Sequence, residues 1–319
     1  MKRIPLLAFL TIVLSAPCAA SAQKAADGTI VEVTPVTVKA FDEVKRLDRY
    51  TTSAEYATVL SDHSWTLERV TYLSDGLKVN ALLYRPRATT TPLPAIVFNR
   101  GGYLAVETPE MWLPMFHRFA AAGFITIAPM LRESAGGEGR DEVGGDDVHD
   151  VLNCIAVLKS MKSVDSSNIF MDGESRGGMM TYQAIRDGVP IRAAATVGAF
   201  ADFQALIENQ PDTYRPLIAA IFPDYDKRKS EIQLRRSAVL FSDRLTVPIL
   251  IMAGGADVGV IPAKALVLAG LLQEQKKTYE VHIFAGGKHT LGDRAIERDR
   301  LIADWFRRFM AKDQKPASS

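Results

Sequence analysis

Six short apolar segments recur along the chain: Ala95–Phe98, Phe124–Ala128, Asn168–Met171, Ala193–Val197, Val247–Met252 and Tyr279–Phe284. A strand that is apolar on both faces must be covered on both, which a parallel sheet packed between two layers of helices provides. The intervening sequence supplies those helices. Helical periodicity runs through Met111–Ala122, through Val148, Val151, Leu152, Ile155 and Leu158, and through Met179–Arg186, Pro262–Gln275 and Arg294–Met310. Alternation of this kind predicts an α/β fold with a mostly parallel central sheet and helices on both faces. Ahead of it, Trp65–Tyr72 and Lys78–Tyr84 flank Ser74-Asp75-Gly76 and predict a β-hairpin. Phe200–Leu245 interrupts the rhythm with Pro211, Pro216, Pro223 and the charged run Asp224–Arg236, and reads as a helical insertion over one edge of the sheet.

The first 22 residues have a different character. Lys2 and Arg3 precede an apolar run from Ile4 to Leu14, and Ala20-Ser21-Ala22 precedes Gln23. The run is shorter than the ~20 residues that span a bilayer. With its basic start and small-residue end it reads as a secretory signal peptide over 1–22. The expectation is export to a periplasm or the medium, with no membrane attachment after cleavage. Cleavage would remove Cys18 and leave Cys154 as the only thiol, so no intramolecular disulfide is expected. Residues 23–64 form an N-terminal arm with one helix expected around Val38–Leu47. A single domain follows over 65–310, with the insertion at about 200–245 and a tail at 311–319.

Composition excludes several functions. Lys and Arg total 38 against 37 Asp and Glu, so there is no basic surface for nucleic acid. His63, His117, His149, His282 and His289 show no paired ligand spacing, and two cysteines cannot build a structural zinc site. No metal or organic cofactor is expected.

In an open α/β sheet the reactive groups lie just past the carboxyl ends of the strands. After Asn168–Met171 comes Gly173-Glu174-Ser175-Arg176-Gly177-Gly178 and then a helix. Gly-x-Ser-x-Gly in that setting is a nucleophile elbow, in which a tight turn presents Ser175 alone and aims the next helix's N-terminus at the reaction centre. A serine hydroxyl needs a base and a group that orients the base. Asp257 follows the strand Val247–Met252 and His289 follows Tyr279–Phe284, in the order serine, acid, histidine that this fold uses. Oxyanion donors are expected from the Arg176 N–H and from the loop Asn99-Arg100-Gly101-Gly102-Tyr103, each worth about 3 kcal/mol. Trp112, Arg132, Glu133 and Phe200 are the candidates for substrate contact, beneath an insertion expected to cover the pocket.

Taken together, Gly173–Gly178 with its doubled final glycine, Gly101-Gly102, Arg132–Gly139 with Gly144-Gly145-Asp146-Asp147-Val148, Arg236-Ser237, Gly254-x-x-Asp257-x-x-Val260 and Gly286-x-x-His289 resemble the catalytic domain of the prolyl oligopeptidase family of serine peptidases, in the α/β-hydrolase superfamily. The resemblance spans residues 65–310 and implies a triad of Ser175, Asp257 and His289. Two positions depart from it. Arg100 stands where members with an oxyanion tyrosine carry that tyrosine, and Gly259 stands where prolyl-cleaving members have a substrate-binding arginine, so post-proline specificity is not expected. The 23–64 arm is also too short for the family's β-propeller. The functional expectation is a secreted serine hydrolase that cleaves small peptides or amides through an acyl-enzyme. The alternatives are a carboxylesterase and, less favoured, a non-catalytic binding protein on the same fold.

Overall fold

The computed structural model describes residues 25–103 and 108–311, so segment 1–22, read above as a signal peptide, and tail residues 312–319 lie outside them. Among the described residues nine strands form one sheet: β1 Ile30–Pro35, β2 Trp65–Ser74, β3 Leu77–Pro86, β4 Leu93–Asn99, β5 Ile125–Pro129, β6 Val164–Glu174, β7 Ala194–Val197, β8 Ile249–Gly254 and β9 Tyr279–Phe284. Their spatial order is β1-β2-β3-β5-β4-β6-β7-β8-β9. The first three and the β3–β5 pairing are antiparallel, and everything from β5 to β9 is parallel. This is the α/β architecture expected from the apolar segments. The β2–β3 turn places Asp75 and Gly76 at φ 52° and 77°, the doubly left-handed turn that matches strand twist.

The period-two pattern of the inner strands sorts their side chains onto two cores. In β4, Ala95 and Val97 face one core while Ile96 and Phe98 face the other. On the first side lie α3 (Val148–Ser160), α4 (Arg176–Arg186) and α8 (Ala263–Glu274). On the second lie α1 (Ser53–Ser61), α2 (Leu113–Ala121) and α9 (Ala295–Arg308), where Phe170 stacks on Phe306 at 4.8 Å.

Several local expectations change. The arm carries no helix at Val38–Leu47. Only three-residue 3-10 turns occur at Phe41–Glu43 and Leu47–Arg49, and the helix is α1, which Thr52 caps by accepting the Glu55 N–H. The strand read at Asn168–Met171 extends to Glu174, so the sheet runs up to the residue before Ser175. The insertion forms α5 (Phe203–Asn209), α6 (Pro211–Ile221) and α7 (Tyr225–Arg236). It connects neighbouring strands β7 and β8 and packs on α4 and the 140–147 loop rather than over an edge strand, because Arg236 donates to the Val143 and Glu142 carbonyls.

Candidate active site

The last residue of β6 and the first of α4 are separated by Ser175 alone, at φ 53° and ψ −118°. That region is sparsely populated by L-residues and costs about 1–3 kcal/mol, so the surrounding contacts must hold it. The flanking glycines make the turn possible: a Cβ on Gly177 would overlap the Asn99 carbonyl, and one on Gly173 would overlap Gly177 and Thr181.

The loops after β6, β8 and β9 bring three side chains together. His289 Nε2 lies 3.0 Å from Ser175 Oγ, and His289 Nδ1 lies 2.6 Å from Asp257 Oδ2. A carboxylate only accepts, so Nδ1 carries the proton and Nε2 is free to accept from the hydroxyl. Asp257 is buried while the imidazole is partly exposed. Burial alone would raise the Asp257 carboxyl, but His289 and the N–H groups of Val260 and Gly259 hold it below the usual carboxylate range.

The expected oxyanion region divides. The Arg176 N–H opens α4 immediately after Ser175. Gly101 is pressed against Ser175, since a Cβ there would sit 3.2 Å from Ser175 Cβ. Arg100 contributes no side chain to the site: its guanidinium turns inward to the Met130 carbonyl and Ser134 Oγ, and burial pushes it down to about 10. Gly102 accepts from Arg176 at 3.4 Å through its carbonyl. Burial raises the Tyr103 phenol, with Asp141 and Glu133 adding to the effect.

The four substrate candidates also separate. Arg132 is a strut, bonded to Asp150 and Asp75 between α3 and the β2–β3 turn. Glu133 is exposed and accepts the Asp141 N–H. Phe200 is buried against Phe203 at the base of the insertion. Trp112 packs on Phe98 and, with Tyr50, Arg118, Glu174 and Arg298, lines a small cavity behind the histidine loop. A concavity of about 430 Å³ within the insertion contains none of Ser175, Asp257 or His289. The insertion reaches the acid loop at Val258, whose carbonyl accepts from the Asn209 and Gln210 side-chain amides.

Two buried ion networks around the triad were not visible in the chain. Arg176 forks onto Asp141, at 2.6 and 2.7 Å, and reaches Asp147 at 2.5 Å. This explains why Asp147, at the N-cap position of α3, does not cap it: its carboxylate accepts from the Gly144 N–H and Arg176 instead. The second network centres on Arg298, which is 5% exposed. It donates to Glu174 Oε1 at 2.6 Å, Asp299 Oδ1 at 2.6 Å and the Thr290 carbonyl at 2.7 Å. One guanidinium thus ties the residue before the serine to the residue after the histidine. Thr290 and Leu291 are both left-handed at φ 56°, so the loop is held away from its relaxed conformation.

An elbow serine on a mostly parallel sheet, with acid and histidine on the next two strand ends, defines a serine-type α/β-hydrolase. The sequence profile of the prolyl oligopeptidase family matches residues 115–313, and the chain belongs to that family. The uncharacterized peptidase YtmA of Bacillus subtilis (strain 168) is 27% identical over 244 residues, covering 76% of this chain and 93% of that protein. Among solved structures, an acylaminoacyl peptidase from Pyrococcus horikoshii superposes with a TM-score of 0.68 at 18% identity, over 84% of this chain and 45% of its own. An acetyl xylan esterase from Paenibacillus sp. R4 superposes with a TM-score of 0.63 at 17% identity, over 78% and 85%. The chain therefore spans less than half of the solved peptidase, and at these identities the structural likeness speaks for the fold alone. Family membership makes the protein a serine hydrolase.

Proposed function

We propose that the protein is a peptidase acting on small peptides or amides through a Ser175–His289–Asp257 triad and an acyl-enzyme. Ser175 Oγ attacks the carbonyl as His289 Nε2 takes its proton. Asp257 fixes the tautomer and faces the imidazolium that forms. The Arg176 N–H, at the start of α4, stabilises the oxyanion, together with the Gly101–Tyr103 loop. His289 then returns the proton to the leaving amine, and water attacks the acyl-enzyme by the reverse steps. The single observation carrying this reading is the continuous hydrogen-bonded run from Asp257 to His289 to Ser175.

Carboxylesterase activity is the second reading, favoured by the likeness to an acetyl xylan esterase of comparable length. Wild type and Ser175→Ala compared on aryl esters and on aminoacyl or dipeptidyl amides separate the two. Ester hydrolysis with no amide hydrolysis would remove the peptidase reading. Failure of Ser175 to react with a fluorophosphonate probe would remove both and favour a binding protein. Export belongs to the same proposal, on the signal-peptide pattern at 1–22. It is checked by the N-terminus of the protein recovered outside the cytoplasm, expected at Gln23.

A further inference from the structure

A concavity of about 1200 Å³ opens at the exposed edge of His289, not over Ser175. The histidine loop and the start of α9 form one wall. The other is residues 48–52 and Glu55 of the N-terminal arm, a segment to which nothing above assigns a role. The two walls meet closely, since the Arg49 carbonyl lies 3.3 Å from where a Cβ on Gly292 would sit. Its position beside the imidazole matters chemically. The Nε2 that takes the serine proton delivers it to the departing atom, so the leaving group exits past His289. A groove beginning at that residue receives the leaving half of the substrate.

Its lining is charged in both signs. Asp48, Arg49, Lys288 and Asp293 border it and make no ion pair among the described residues, while Ile296 is its one large aliphatic side chain. Such a surface offers an alkyl chain little to bury against beyond Ile296, and its charges have no counterpart on a neutral sugar. A peptide brings amide groups along its length and charges of either sign on its side chains and terminus.

We infer that this groove binds the residues following the scissile bond of a peptide, with arm segment 48–55 as its outer wall. The inference rests on the acyl-enzyme reading above and deepens it. Microscopic reversibility supplies a test. An amine bound in the groove attacks the acyl-enzyme carbonyl, giving up its proton to His289. The tetrahedral adduct then expels Ser175 Oγ, which takes that proton back, and an amide is released in place of the acid formed with water. The ratio of amide to acid is internal to each acyl-enzyme, so neither the folded fraction nor the acylation rate affects it.

The full-length protein is acylated with p-nitrophenyl acetate in the presence of glycinamide, triglycinamide or methyl xyloside, and the acetylated products are quantified. Glycinamide and triglycinamide present the same nucleophile and differ only in reach. Capture by triglycinamide is expected to exceed that by glycinamide about tenfold, and Arg49→Ala, an exposed substitution that removes a guanidinium donor to the added amide carbonyls, is expected to remove most of that difference. Equal capture by the two amides, an undiminished difference in Arg49→Ala, or preferential capture by the xyloside would overturn the inference while leaving the acyl-enzyme intact. Absence of Ser175-dependent p-nitrophenol release would instead overturn the acyl-enzyme reading, and this one with it.

Discussion

Replacing Arg298 by Met keeps the length of the side chain and removes the guanidinium that joins Glu174, Asp299 and the Thr290 carbonyl. Two consequences are separable. The first is stability: breaking a buried ion pair by deleting one partner costs about 3–5 kcal/mol. Asp299 still has Arg118 as a partner, so the orphaned charge falls chiefly on Glu174. At about 2–4 °C per kcal/mol, the melting temperature should drop by roughly 10 °C. The second is catalytic. Once the Thr290 carbonyl is released, the left-handed pair at 290 and 291 can relax and carry the His289 ring with it. A displacement of about 1 Å at a catalytic group costs up to ~100-fold. The assay is kcat and KM on an aryl ester, well below the variant's melting transition, with fluorophosphonate labelling of Ser175 as a substrate-independent readout. Both kcat and the labelling rate should fall about 10- to 100-fold while KM changes little. Adding Glu174→Gln should recover part of the lost stability, because it removes the stranded carboxylate, but none of the lost rate. A folded Arg298→Met enzyme with wild-type kcat and labelling would refute the positioning argument, and strictly additive melting temperatures in the double variant would refute the charge argument.

Burial, reinforced by Glu174, pushes the Asp172 carboxyl well above the usual range, and neither oxygen has a partner. A raised acid binds more protons folded than unfolded, so its contribution to stability is lost as pH rises above the unfolded value of about 3.9. Asp172→Asn should therefore gain in melting temperature relative to wild type between pH 5 and pH 8, and parallel pH curves would contradict this. Ser175→Gly should melt a few degrees above Ser175→Ala, because only glycine adopts φ 53° without strain worth about 1 kcal/mol or more. The Cys154 thiol is fully buried and raised by that burial, so a thiol reagent should leave it untouched in the folded protein and modify it only on unfolding.

The strands that present the site were readable because each is apolar on both faces, a pattern that survives without knowledge of partners. The hairpin was readable for a local reason, its Asp75-Gly76 turn. Strand β1 was not, because its Thr, Glu and Val residues sit on an exposed edge where only Ile30 and Thr34 are even partly covered. The apolar residues of Val38–Leu47 imitate a helix because Val44 and Leu47 are buried there without one, Val44 from extended backbone and Leu47 from a 3-10 turn, while the helix itself lies at Ser53–Ser61. The ion networks left no local trace at all. Arg298 and Glu174 are 124 positions apart, and nothing near either residue announces the other. Arg176 carries a partial signal in hindsight, a cation beside the nucleophile with two aspartates in the glycine-rich loop. Arg132 misled for the converse reason: a charged residue at a strand end resembles a ligand contact until its own carboxylate partners are known.

The tie between α9 and the elbow also bears on biogenesis. Chains are made from the N-terminus at about 5–20 residues per second. Ser175 and its elbow emerge well before Arg298, which braces the histidine loop, and before Trp305, whose indole bonds the Ala194 carbonyl inside the sheet. Until α9 docks, the carbonyl after His289 lacks its Arg298 donor, and the left-handed path at 290 and 291 rests on the loop's own bonds, such as the Leu291 N–H to the Lys288 carbonyl. On the proposed mechanism, the nascent chain thus carries Ser175 before its base is braced, and hydrolytic competence waits on α9.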